Sequence, residues 1–156
     1  VAVIALMLIG LFNIVGTLVA GQLGAKFPKR YLLAGIYVGR SVVTALFLLA
    51  PISPWSVYLY AAAMGLLWLS TVPLTNGIIA HVFGTQYMSM LGGVVFFSHQ
   101  IGSFLGAWLG GFFYDRMGSY NMVWGISIAL GIIAAIINWP ISERAIVRGQ
   151  PAAAAG

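Results

Sequence analysis

The first 25 residues carry no charged side chain, and this long apolar run constrains the fold more than any other feature of the chain. A helix of about 20 apolar residues crosses the hydrocarbon core of a bilayer. Only 6% of the 156 residues are charged, against about a quarter in soluble domains. The apolar runs are continuous rather than alternating, which favours helices over strands. The sequence therefore predicts an all-α, polytopic membrane helix bundle embedded in a lipid bilayer.

Four polar or helix-breaking stretches divide the chain into five predicted membrane spans. These stretches are residues 26–30, 51–54, 77–87 and 114–120. The spans that they separate cover about residues 1–24, 31–50, 55–76, 88–113 and 121–140. We expect the polar and alanine-rich residues 142–156 to form a mobile tail, and residues 1–141 to form the membrane domain.

The distribution of basic residues predicts the orientation of the spans, because Lys and Arg accumulate in short cytoplasmic loops. Lys26, Lys29 and Arg30 follow the first span, whereas the loop after the second span has no basic residue. Five spans then put the tail, with Arg144 and Arg148, on the same side as Lys26. We expect a bacterial inner (plasma) membrane protein with a cytoplasmic C-terminus.

The inventory of reactive residues excludes several classes of function. Seven basic residues spread along the chain form no patch, so no nucleic-acid partner is expected. The two carboxylates, Asp115 and Glu143, lie far apart at or beyond span ends and form no acid/base pair. His81 and His99 lack metal-ligand spacing, and no phosphate-binding or nucleophile motif is present. The sequence therefore predicts a protein that is not an enzyme and that uses no cofactor and no metal.

Two turns resemble a transporter signature. The stretch GQLGAKFPKR at 21–30 resembles the Gly-x-Leu-x-Asp-Arg-x-Gly-Arg-Lys signature of major facilitator superfamily transporters, with Ala25 and Pro28 in place of Asp and Gly. The stretch GFFYDRMGSY at 111–120 resembles the same pattern and retains Asp115 and Gly118. Glycine and polar residues at 83–106 are similar to those of the monocarboxylate and oxalate/formate antiporter group.

This resemblance implies that the five spans are helices eight to twelve of a twelve-helix transporter, the C-terminal half without its first helix. The absent N-terminal helices of the same polypeptide would then be its partner. The implied function is secondary active transport of a small organic anion, such as a monocarboxylate, by alternating access with proton coupling or exchange. The residues implied to set topology or gating are Gly21, Lys26, Lys29, Arg30, Asp115, Arg116 and Gly118.

Arg40 is the main candidate for substrate binding because it is an ionisable residue about 15 Å deep in the second span. Tyr37 and Thr44 share its helical face by their spacing. Arginine remains charged, so Arg40 must face a wet cavity, an anion or a protein acceptor, and a guanidinium matches a carboxylate in two hydrogen bonds. The alternative is a structural pair with a backbone carbonyl or with a carboxylate elsewhere in the polypeptide.

His99 and Gln100 lie at mid-depth in the fourth span and are further candidates for substrate contact. Imidazole can also carry a proton near neutral pH. The alternative is that both residues form hydrogen bonds between helices, which is also the role expected of Asn13.

Two other functions fit the same spans. One is a multidrug or nucleobase permease of the same superfamily, which would not depend on Arg40. The other is a non-transporting membrane sensor or scaffold, although the tail is too short to hold a recognisable signalling domain.

Overall fold

The described residues of the computed structural model, 1–146, form six α-helices joined by short turns. They are α1 (Ala2–Lys26), α2 (Lys29–Leu49), α3 (Pro54–Trp68), α4 (Thr71–Phe83), α5 (Met88–Met117) and α6 (Asn121–Asn138), with a 3-10 turn at Thr85–Tyr87. Because α3 and α4 together form one long stretch, Pro54–Phe83, five helical stretches are long and apolar enough to cross a membrane. The predicted all-α bundle with five spans is confirmed for this part of the chain.

The third span is interrupted near its middle, between α3 and α4. Its start is specified locally, because Ser53 and Ser56 form reciprocal capping hydrogen bonds and Pro54 occupies the first turn. Leu69 and Ser70 then separate the two helices. Pro73, in the first turn of α4, has no N–H to continue the helical ladder. The interruption therefore lies at a depth where unpaired backbone groups need partners from other helices.

The third span is longer than the sequence predicted. Residues 77–83, expected to begin a loop, continue α4. They are mostly apolar, and the burial of Ile79 and Val82 against other helices outweighs their modest helix propensity. The helix ends where Gly84 adopts φ 88°, a conformation that favours glycine. The fifth helix likewise runs past residue 113 to Met117, and Gly118, with φ 66°, ends it. The last helix ends at Asn138, slightly before the predicted residue 140.

Helix packing relies on close approaches at glycines. The most extensive contacts join α1 to α3 and α2 to α6, and a small core of Ala20, Leu33 and Leu74 lies between α1, α2 and α4. A Cβ placed on Gly65 would lie 2.6 Å from the carbonyl oxygen of Ile9, so only glycine permits this contact between α1 and α3. None of the described residues of α5 is buried, which leaves most of its surface for lipid or for other helices.

The two ends of the bundle differ in charge. One end carries Lys26, Lys29, Arg30 and Arg144, and we call it the basic end. Among the described residues, the charged side chains at the opposite end are Asp115 and Arg116. Apart from Arg40 and Arg116, the basic residues of the described chain therefore lie at one end of the bundle.

The first residues of the predicted mobile tail are bonded to the basic end. The backbone N–H of Arg30 donates to Glu143 Oε1 at 2.7 Å, and its guanidinium Nη1 donates to the Ile141 carbonyl at 3.1 Å. The N–H of Ile146 donates to the carbonyl of Val82 at 2.9 Å, near the end of α4. Residues 142–146 are thus held against the helices, contrary to expectation. Residues 147–156, including Arg148, lie outside the described residues.

Candidate functional site

Arg40 lies near the middle of α2. Eleven residues separate it from Lys29, the first residue of the helix, which corresponds to about 16 Å along the axis. Its side chain is half-buried, and its carbonyl oxygen accepts a hydrogen bond from Thr44 Oγ1 at 2.8 Å. Arg40 thus lies near the middle of a helix that is long enough to cross a membrane.

The guanidinium of Arg40 lies over the indole ring of Trp68. Its Cζ is 5.3 Å from the ring centroid, within the range of a cation–π interaction. Trp68 is the last residue of α3 and is 46% exposed, so the interruption of the third span positions the ring. Trp68 was not among the residues predicted from the sequence. A tryptophan in the middle of a span, away from the membrane interfaces where this residue usually lies, was the available signal.

The remaining surface of the Arg40 guanidinium has no acidic or hydrogen-bonding partner within the described residues 1–146. A guanidinium has five N–H donors in a planar fork. An arginine at the centre of a bilayer costs about 2.5 to 3.5 kcal/mol on insertion scales, so an aromatic ring on one face leaves most of its requirements unmet. The arrangement can therefore accept an anion along the edge of the guanidinium.

Residues of α2 on either side of Arg40 contact other helices. Tyr37, one turn earlier, is half-buried and packs against the core of Ala20, Leu33 and Leu74. Ser41 is buried, and its Oγ donates to the carbonyl of Ile128 in α6 at 3.0 Å. Tyr37 thus contacts the core while Arg40 contacts Trp68. Ser41 was missed because a serine in an apolar span gives little sign of its partner.

The position of Trp68 depends on α1 as well as on α3. Asn13 Oδ1 accepts a hydrogen bond of 3.1 Å from the N–H of Leu69, the residue after Trp68. Gly16, one turn along α1, lies directly against the carbonyl of Leu66. Ser70 Oγ also donates to the Leu66 carbonyl. The Leu69 N–H at the interruption is therefore bonded, and the expectation that Asn13 forms a hydrogen bond between helices is confirmed.

His99 and Gln100 lie apart from this arrangement. Both are exposed on α5, which packs mainly on α4 and α6. The carbonyl of His99 accepts a hydrogen bond from Ser103 Oγ at 3.0 Å. In the described part of the chain, no hydrogen bond or ring contact joins either residue to Arg40 or Tyr37. The four predicted substrate residues thus form two groups on different helices.

Two residues of the basic turn at 26–30, Lys29 and Arg30, contact other parts of the chain at the basic end. Lys26 ends α1 and is exposed, and Gly21 faces open space. The Lys29 side chain crosses α4, where a Cβ on Gly77 would lie 2.8 Å from its Cε. Arg30 forms the contacts with residues 141–143 described above. The aliphatic part of Lys29 thus joins α2 to α4 at the basic end.

The second motif lies in the last turn of α5 at the opposite end. Asp115 and Arg116 are exposed, and the Arg116 Cζ lies 4.6 Å from the ring centroid of Phe112. The N–H of Gly118 donates to the carbonyl of Tyr114 at 2.8 Å and closes the helix. These contacts are local to one helix end.

The chain is similar to a curated membrane transporter. The chain is 28% identical over 134 residues to the uncharacterized MFS-type transporter YcxA of Bacillus subtilis (strain 168), and the match covers 83% of this chain and 33% of the relative. The chain thus spans about a third of the length of the curated relative it matches. No family model matches the chain, and no solved structure matches it.

Proposed function

We propose that the chain is part of a major facilitator superfamily transporter, namely helices eight to twelve, and that the full-length polypeptide moves a small organic anion across the bacterial inner membrane. Three features support membership: the similarity to an MFS-type transporter, the five membrane-length helices, and the motifs at 21–30 and 111–120. In this proposal the basic end is cytoplasmic. The topology and gating roles implied for the two motifs belong to the same proposal.

The guanidinium of Arg40 carries the proposal of an anionic substrate. It lies at mid-depth, where transporters bind their substrates, and Trp68 covers one face. Its edge can bind a carboxylate with two hydrogen bonds, and the aromatic ring beside it suits the apolar part of a small organic acid. A monocarboxylate has this combination of groups.

His99, Gln100 and Tyr37 have secondary roles in the proposal. His99 and Gln100 do not contact Arg40 in this conformation. In the proposal they approach the substrate from α5 when the helices rearrange during alternating access. His99 would also serve as the proton carrier if transport is proton-coupled. Exchange of one anion for another would need no such carrier.

Uptake into proteoliposomes tests the proposal. The full-length transporter is reconstituted and offered a panel of small carboxylates, with and without a pH gradient. Wild type is compared with Arg40→Ala and with Val42→Ala, which removes a lipid-exposed side chain from the same helix. We expect carboxylate uptake by wild type and Val42→Ala, and its loss in Arg40→Ala.

The outcomes separate the alternatives. If wild type takes up no carboxylate, or if Arg40→Ala transports normally, the anion site is wrong. Uptake of nucleobases or of hydrophobic drugs that is insensitive to Arg40 would support the permease alternative. Dependence of carboxylate uptake on the pH gradient would distinguish proton coupling from exchange.

A further inference from the structure

An apolar groove of about 570 Å³ runs between α2 and α6 next to the basic end. Its base is formed by small residues, including Gly35 and Ala135, and Val38 lies at its deep end. No atom lies within 4 Å of where a Cβ of Gly35 would stand, so the groove is open at this residue. Seven residues separate Tyr31 from Val38, which gives the groove a length of about 10 Å along the helix. It therefore extends from the membrane surface into the hydrocarbon region.

Two aromatic rings mark the mouth of the groove. Tyr31 and Trp139 both line it, and their ring centroids are 4.9 Å apart in an edge-on arrangement. Tyrosine and tryptophan are enriched where the hydrocarbon region meets the lipid headgroups. The mouth of the groove thus lies at the depth of the headgroups, and its interior lies at the depth of the acyl chains.

The positively charged guanidinium of Arg30 lies beside the mouth of the groove. The Cζ of Arg30 is 4.5 Å from the ring centroid of Tyr31, and Nη2 donates to the Tyr31 hydroxyl at 2.8 Å. Nη1 donates to the carbonyl of Ile141, and the guanidinium retains further N–H donors after these two bonds. Glu143 also lies here, with its carboxylate on the backbone N–H of Arg30.

The charge around the mouth is positive. Four basic side chains lie at this end of the described chain, against the single acidic side chain of Glu143. Each basic residue near a membrane surface contributes about 1 kcal/mol to the free energy of association with anionic lipids. Charge complementarity therefore favours an anionic headgroup over a zwitterionic one.

We propose that this groove binds one acyl chain of an anionic phospholipid whose phosphate is bound by Arg30. The small residues along the groove admit the chain, Tyr31 and Trp139 flank the glycerol region, and the guanidinium donates to the phosphate oxygens. This site is separate from Arg40 and does not depend on the identity of the transported substrate.

Fluorescence quenching by brominated lipids measures this binding directly. The full-length protein is prepared with Trp139 as its only tryptophan and placed in mixtures of phosphatidylglycerol and phosphatidylcholine, one of which is brominated. We expect phosphatidylglycerol to associate next to Trp139 about fivefold more strongly than phosphatidylcholine. A second protein with Trp55 as its only tryptophan is the control, because Trp55 is exposed at the opposite end. There the two lipids should associate equally.

Two substitutions distinguish a specific site from a general lipid layer. Gly35→Leu fills the groove and should abolish the preference for phosphatidylglycerol at Trp139, whereas Gly10→Leu, at an open position of α1, should not change it. In Arg30→Gln, phosphatidylglycerol and phosphatidylcholine should associate next to Trp139 almost equally. The proposal is overturned if both lipids quench Trp139 equally in the unsubstituted protein, if Trp55 shows the same preference, or if the preference survives Gly35→Leu.

Lipid retention on wild-type protein gives a second, independent measurement. Native mass spectrometry counts the phosphatidylglycerol molecules that remain bound as detergent is removed, and it needs no tryptophan substitutions. We expect one fewer strongly retained molecule in Gly35→Leu than in wild type or Gly10→Leu. Equal retention in all three proteins would contradict the proposal.

Discussion

Asn13 and Leu69 are joined by a hydrogen bond of 3.1 Å between a side-chain oxygen of α1 and a backbone N–H at the interruption of the third span. This bond supplies an acceptor where the helical ladder between α3 and α4 is broken. It also fixes the chain immediately after Trp68, the ring under Arg40. A polar residue of one helix thus supports the proposed binding site through the backbone of another.

Replacing Asn13 with Leu should lower the stability of the protein by about 1 kcal/mol, because the N–H of Leu69 loses its acceptor in an apolar setting. Thermal unfolding in detergent measures the effect. Asn138→Leu is the matched control, since the Asn138 amide donates to Ala134 within its own helix and its loss leaves no donor unpaired. Equal melting temperatures for Asn13→Leu and wild type would show that the hydrogen bond contributes nothing.

A methyl group at Gly65 should destabilise the packing of α1 on α3. The added Cβ would lie 2.6 Å from the Ile9 carbonyl oxygen and 2.8 Å from the Ile9 Cα, so the two backbones must separate. We expect Gly65→Ala to cost about 1 to 3 kcal/mol. Gly10→Ala adds a methyl group where nothing lies within 4 Å and should be neutral or slightly stabilising. Thermal unfolding in detergent compares the two variants. Equal melting temperatures for Gly65→Ala and Gly10→Ala would contradict the close approach of α1 and α3 at Gly65.

Ser41 and Gly131 should show strong energetic coupling. The Ser41 hydroxyl occupies the space that a Cβ of Gly131 would need, and it donates to the nearby carbonyl of Ile128. Gly131→Ala should therefore destabilise the contact between α2 and α6, but much less in a protein that also carries Ser41→Gly. A double-mutant cycle on thermal stability should give an interaction energy above about 0.5 kcal/mol. Simple additivity would mean that the two residues do not compete for the same space.

Glu143 should stabilise the start of α2. The first turn of this helix has no acidic residue and begins with Lys29 and Arg30, an unfavourable arrangement for the helix dipole. The Glu143 carboxylate accepts the N–H of Arg30 and supplies the missing negative charge. We expect Glu143→Ala to cost about 1 kcal/mol at low salt, and Glu143→Gln to cost less because it retains an acceptor. High salt should reduce the difference in stability between wild type and Glu143→Gln. The capping role would be refuted if both Glu143→Ala and Glu143→Gln were as stable as wild type.

The sequence predicted the features that depend on local composition. The apolar runs and the polar or helix-breaking stretches between them indicated five membrane-length helices, and the spacing from Tyr31 placed Arg40 near the middle of the second. The extension of α4 to Phe83 was missed because a few polar residues beyond Gly77 suggest a loop, although the apolar neighbours keep the helix intact.

Features that depend on contacts between distant residues could not be predicted. The Arg40–Trp68 contact requires knowledge of which spans are neighbours, and periodicity within one span does not provide it. The hydrogen bond from Arg30 to Glu143 joins a backbone N–H to a side chain 113 residues away, so the local sequence around either residue does not predict it. The separation of His99 from Arg40 likewise follows from the packing of α5.

The concentration dependence of carboxylate uptake by Arg40→Lys tests the central claim most directly. Lysine keeps the positive charge but lacks the planar fork that binds a carboxylate with two hydrogen bonds. We predict that reconstituted Arg40→Lys transporter has a KM at least about tenfold above that of wild type, a loss of about 1.4 kcal/mol in binding, at equal protein in the membrane. A KM and a maximal rate equal to those of wild type would contradict an anion site at Arg40.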